Sequence, residues 1–534
     1  MQTAMQTPTD LDRETDSRQA MGFREFQAVA VLCIAALFIW FGLLQWPGLH
    51  WDACLYATPV INVASGHGWL FGGYPDAIVR NETRAYQSHG VIHVLIFGRL
   101  LKANTWERYF LLCGIVNAVT FVSWTFVFHR TIRRVSPGSY FQFTSILSGL
   151  MAGVLALGLQ GRPEHLAMLL ISCPLVLREF GMAQRQFEIA IYSLGGVLLM
   201  LSPASGLLMA MGVAFWISLR FENQQNSLLF RHAMMAIGAA VISALLVSLL
   251  CPFSWFHWLS RSVQGQGSTP NFADRLFRLN WTGISGISMQ APFWNVIVLT
   301  TTMLSVSLLY RQKKYIGLTV FTMLALYCWP KLTDYGYVSF LPLILVFLIG
   351  QPSLCLFPIF RPRGGVPILR LQAFLGTLYA ITFARAALSA VIYVKSGTSL
   401  VTAREILASF GAATWQEKNT VTVFHGWSRP SFVVLGDGGE RFIIGIPGFS
   451  EGMRDASIID YTVKFQRPIE YFVYPQVQSG SPPRELFIGL QRCELIYDGW
   501  VVQRPTIAGI DPGGVPPGYQ FALYKRVKSP ELQG

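Results

Sequence analysis

The sequence predicts a polytopic α-helical membrane protein of about eleven transmembrane helices, followed by a C-terminal α/β soluble domain. Three features predict it. The chain of 534 residues is 52% hydrophobic and 13% charged, about half the charge of an ordinary soluble domain. Apolar runs near membrane length recur as far as residue 394. Beyond that point, alternating strand patterns and turn residues replace them.

Residues 1–26 form a polar tail, expected to lie in the cytoplasm and, up to Arg24, to lack fixed structure. No small-residue cleavage site follows the first apolar run, which reads as a signal anchor. That run, 27–46, is long enough to cross a hydrocarbon core of about 30 Å. Further runs are 109–128, 141–159, 166–177, 187–201, 204–219, 233–251, 293–310, 315–329, 337–350 and 371–394. The stretch 187–219 also fits one long helix kinked at Pro203. Two spans are preferred there because one would place the Arg-Gln-Lys-Lys loop at 311–314 on the wrong side.

Orientation follows from the basic loops. With the N-terminus inside, Arg130, Arg133 and Arg134, then Arg178 and Arg185, then Arg311, Lys313 and Lys314, then Arg361 and Arg363 all fall inside. The net charge of +13 is therefore a matter of topology and not of nucleic-acid binding. The eight cysteines are scattered, with no zinc or disulfide spacing.

Three outer regions result: 47–108, 252–291 and 395–534. In the first, VIHVLIFGRLL is apolar but too short to span, and is expected along the interface. In the last, 402–411 has a capping box at Thr402 and Glu405 and ends at Gly411. SFVVLGDGGERFIIGI reads as a hairpin about an Asp-Gly turn. IEYFVYP, CELIYDGWVV and YQFALYKRV read as strands. This domain carries no catalytic motif, and its expected role is support.

No Walker loop or Gly-x-Gly-x-x-Gly unit is present, and the inner loops are too short to hold a nucleotide. An enzyme of this topology works outside, on an activated substrate carried by a lipid. Asp52, just past the first span, suits a general base in a partly shielded position. It equally fits a solvated loop acid or a helix cap. GLQGRPEHLAMLL places Arg162 and Glu164 at an outer membrane edge, with Pro163 between them. Charges there are costly unless paired or functional, though a snorkelling arginine and a helix N-terminal acid would look the same. WPKLTDYGYVSFLPL puts Lys331, Tyr335 and Tyr337 at the next outer edge. Lys331 suits a phosphate, and the group also fits an aromatic belt with an anchoring lysine. Arg385, inside the last run, either snorkels outward or faces a pocket. The loop histidines His50, His67, His89 and His93 form no metal pair, while His89 suits an anionic headgroup. Asn81 and Asn280 match a glycosylation sequon.

A first span followed by Asp52, Tyr56 and then Gly66-His67-Gly68-Trp69, an Arg162-Pro163-Glu164 motif at the next outer turn, many spans and an outer C-terminal domain form a pattern. It resembles the GT-C superfamily of polyprenyl-phosphate-sugar glycosyltransferases, in the bacterial branch related to protein O-mannosyltransferases and the lipid A aminoarabinose transferase. The resemblance implies an inner-membrane enzyme with a periplasmic C-terminal domain. Its donor would be a polyprenyl-phosphate sugar, and its acceptor a hydroxyl on a glycan, lipid or protein. Asp52 takes the place of the catalytic acid, and Glu164 that of the second-loop acid. Arg162, Tyr56, His89, Lys331, Tyr335, Tyr337 and Arg385 would bind substrate. Many members carry two adjacent acids in the first loop; here Ala53 follows Asp52. No cofactor is predicted, a divalent metal being left open. Two other classes fit the same charged residues: a multi-span transporter, and a non-catalytic cell-envelope assembly protein. Activity on a sugar-lipid separates them.

Overall fold

A computed structural model describes residues 10–44, 59–61, 63–66, 90–135, 142–158, 163–221, 226–250, 310, 313, 315–328 and 365–395, with six strand segments between 421 and 527. The described part is mostly helical. Helix α1 is Asp10–Leu43, α2 Val91–Leu100, α3 Trp106–Val135 and α4 Gln142–Gly158. A 3-10 turn, Pro163–Leu166, leads into α5 at Ala167–Glu179. Then come α6 Gln184–Leu201, α7 Pro203–Phe221, α8 Asn226–Ser248, α9 Tyr315–Cys328 and α10 Gly365–Lys395.

Among the described residues, three stretches are long and apolar enough to cross a membrane: Glu25–Leu43 in α1, Glu107–Arg133 in α3 and Ser227–Ser248 in α8. Helix α8 exposes Phe230, Ile237, Val241, Leu245 and Leu246. A row of this kind is unfavourable in water and suits hydrocarbon.

One expectation is corrected at the N-terminus. Helix α1 begins at Asp10, so residues 10–24 of the polar tail are helical. Their Glu, Gln, Arg, Ala and Met residues are strong helix formers, and charge alone does not oppose a helix.

The region 187–219 is two helices. Ser202 is extended at φ −162° and ψ 132°, and Pro203 opens α7, where its missing N–H costs nothing. The second helix folds back on the first. Trp216 lies 5.9 Å from Tyr192 and 6.4 Å from Phe187, ring centre to ring centre. In a single helix Tyr192 and Trp216 would be about 36 Å apart.

Helices α1 and α3 meet backbone to backbone. A Cβ at Gly42 would stand 2.7 Å from the Phe110 carbonyl, and one at Gly114 2.8 Å from the Phe38 carbonyl. Small residues spaced this way allow close helix packing where no water is released to drive it. Phe38 then reaches Phe121 and Phe383, so α10 closes on the same core.

The strands are β1 Val421–His425, β2 Ile443–Ile446, β3 Ile469–Gln476, β4 Glu485–Ile488, β5 Gln491–Trp500 and β6 Gln520–Arg526. They form one mixed sheet in the order β2-β1-β3-β6-β5-β4. The pairs β2/β1 and β1/β3 are parallel, and the rest antiparallel. The 17-residue and 22-residue connections before and after β2 are long enough for the crossovers that parallel pairing demands. Tyr524 is buried on β6 and donates to the Pro483 carbonyl at 2.8 Å. Strands β3, β5 and β6 coincide with the three strand patterns of the sequence. The helix at 402–411, the first arm of the Asp-Gly hairpin, the runs 293–309 and 337–350, and the region 252–291 lie outside the described residues.

Candidate functional site

Helix α3 carries Tyr109, Cys113, Asn117, Thr120 and Trp124 at spacings of 4, 4, 3 and 4, which places them on one face. All five are fully buried. The short helices α4 and α5, of 17 and 13 residues, span about 26 and 20 Å, against about 45 Å for the 30 residues of α3. The turn between them therefore meets α3 well inside its length. His165 Nε2 stands 2.7 Å from Asn117 Oδ1, a residue about 16 Å along α3 from Trp106. One helical turn further into α5, the Trp124 indole donates to the Met168 carbonyl at 3.0 Å.

Helix α2 covers the other end of this face. His93 Nε2 lies 3.1 Å from the Tyr109 hydroxyl. Phe97 fills the space between the two histidines, 5.0 Å from the His93 ring, 5.5 Å from Tyr109 and 6.2 Å from His165. Gly90, at φ +94°, brings the chain over Pro163, where a Cβ would stand 2.8 Å from its Cγ.

Glu164 and His165 are 1% and 0% exposed. Burial pushes the His165 imidazole well below its ordinary pKa of 6.5, against a smaller upward pull from the Cys113 carbonyl. Burial lowers His93 as well, and the neighbouring His165 adds to that. Both rings are neutral at pH 7. His93 Nδ1 and Thr120 Oγ1 are buried with no hydrogen-bond partner among the described residues. The site is thus a patch of neutral donors and acceptors with one carboxyl group beside it. Such a patch suits hydroxyls or ordered water better than an anion.

Of the residues expected from the sequence, Glu164 belongs to this patch. Arg385 is half-buried on α10. Asp52, Tyr56, His89, Arg162, Lys331, Tyr335 and Tyr337 lie outside the described residues. Tyr109, Asn117, Thr120 and His165 belong to no motif in the sequence, and His93 reads there as a loop histidine. The helical spacing of polar residues in the run 109–128 was the available signal. Among the described residues no group of three or more His, Cys, Asp or Glu side chains could hold a metal ion.

No protein-family model matches the chain, and no curated protein matches it either.

Proposed function

We propose that the protein is a membrane glycosyltransferase that moves a sugar from a polyprenyl-phosphate donor to an acceptor hydroxyl on the outer face of the inner membrane. In this reading about eleven spans carry the chain across, the N-terminus is inside, and the C-terminal α/β domain stands outside. Asp52 removes the acceptor proton as the acceptor oxygen attacks the anomeric carbon. The bond to the lipid phosphate breaks, and the phosphate leaves as an anion met by Lys331, Arg162 or Arg385. Stabilising that charge is a large share of such catalysis. Glu164 and the neutral groups around His165 hold sugar hydroxyls, or orient Arg162.

The observation that carries the reading is a shared level in the helix bundle. Gly42, in the last turn of α1, touches Gly114 of α3. Asn117, three residues on, holds His165. Leu43, nine residues before Asp52, thus lies near the level of the buried Glu164 turn. Two acids assigned separate roles in one site need such a common level.

The test is transfer from a panel of polyprenyl-phosphate sugars by the purified full chain, with Asp52→Asn as the control. Transfer by wild type that is lost in Asp52→Asn supports the reading. No transfer from any donor, or equal transfer by Asp52→Asn, overturns it.

A further inference from the structure

Helix α2 is bracketed by two residues in the left-handed region, Gly90 at φ +94° and Lys102 at φ +53°. Side chains other than glycine rarely adopt that conformation, so each end marks an abrupt change of chain direction. Between them, Val94–Leu100 is π-helical. The Leu101 N–H reaches back to the Ile96 carbonyl, and the Ala103 N–H to the Phe97 carbonyl, each at 2.9 Å. π-helical turns are rare and concentrate where function needs an altered helix.

Helix α2 buries Val91, Ile92, His93, Val94, Phe97 and Gly98, with Val60 and Val63 packed on Gly98, while Arg99 and Leu100 are exposed. Among the described residues, one side-chain hydrogen bond ties α2 to the helices beneath, the 3.1 Å contact of His93 with Tyr109. Under it lies the Tyr109 end of the polar face of α3, and His93 Nδ1 lacks a partner among the described residues. A short helix with weakened internal geometry, one latch and polar groups below is the kind of unit that opens locally while the core holds.

We propose that α2 is a hinged lid, turning at Gly90 and Lys102, whose lifting breaks the His93–Tyr109 latch and opens the Tyr109–Asn117 face of α3. This goes beyond the transferase reading and does not depend on it.

Cys113 is a built-in reporter. It is fully buried on that face, between Tyr109 and Asn117. The full-length protein in lipid nanodiscs is treated with a small alkylating reagent, and Cys113 modification is followed by peptide mass spectrometry, with global unfolding measured in parallel. The lid predicts that Cys113 is modified under conditions where the protein stays folded. It also predicts that Tyr109→Phe, which removes the latch and keeps the ring, speeds modification about five-fold. Gly90→Ala, which opposes the closed φ and crowds Pro163, should speed it as well. If Cys113 in wild type and both variants reacts only in step with global unfolding, α2 is a fixed part of the core and the proposal fails.

Discussion

His165 Nε2 and Asn117 Oδ1, 48 positions apart in sequence, stand 2.7 Å from each other with both side chains fully buried. The pair fixes the turn that carries Glu164 against the middle of α3. Asn117→Leu removes the partner and leaves a buried imidazole nitrogen unsatisfied. The expected cost is about 1–3 kcal/mol, read as a lower melting temperature of the purified protein. Asn117→Asp should be tolerated no better, since it brings a carboxyl group into a buried site.

The two buried histidines set a pH dependence. Their folded pKa values lie far below the unfolded value of 6.5, so the unfolded chain binds more protons below that pH. Their contribution to stability is fully present above pH 6.5 and is lost as pH falls from 6.5 toward the folded values. Each should add a slope of about 1.4 kcal/mol per pH unit within that window. Melting measured from pH 7.5 to 5 should show this, and His93→Gln with His165→Gln should flatten the curve. An equal slope in the double variant would assign the acid sensitivity to other groups.

The close approach of α1 and α3 predicts a sharp size limit. Gly114→Val places side-chain atoms where the Phe38 carbonyl and the Gly42 Cα now sit, within about 3.0 Å of a single added Cβ. The helices must separate, at a cost of about 1–3 kcal/mol or more. Gly114→Ala should lie between the two. Comparing yields of folded protein after detergent extraction ranks the three.

The transferase reading makes ordered predictions at three residues. Asp52→Asn should reduce turnover by about 10²–10⁴-fold with donor binding little changed. Glu164→Gln should reduce it less. Lys331→Ala should weaken donor binding by about 1.5–3 kcal/mol, as expected for one lost charged hydrogen bond. Turnover and donor affinity measured together separate these cases.

Orientation is checked by a reporter fused after Val394. Activity only on the outer side agrees with the positive-inside assignment. A cytoplasmic signal removes the argument for a lipid-borne donor.

The parts of the fold legible in the sequence were those set by local pattern. Runs of apolar residues marked α3 to α8, and Pro203 marked the break between α6 and α7. Alternation marked β3, β5 and β6. What escaped was set by contact at long range. His93 reads as a loop residue until Tyr109 is beneath it. His165 sits in a stretch that drew notice for Arg162 and Glu164, and only its meeting with Asn117 shows it as a buried anchor. The tail at 10–24 reads as unstructured from its polarity, while its helix-forming residues make it helical.

The Phe187 and Trp216 rings that face each other across the α6–α7 hairpin are joined by fewer than thirty residues of chain. Contacts so close in sequence form with little loop entropy to overcome. During synthesis this pair can assemble once Phe221 has cleared the ribosome, before α8 has emerged to join it. It then presents Tyr192 as a ready platform for His232 of α8, whose Nδ1 comes to rest 2.9 Å from the tyrosine hydroxyl. The order of chain growth and the order of packing coincide here, so a nascent chain arrested with Phe221 just clear of the ribosome should already protect this hairpin from protease.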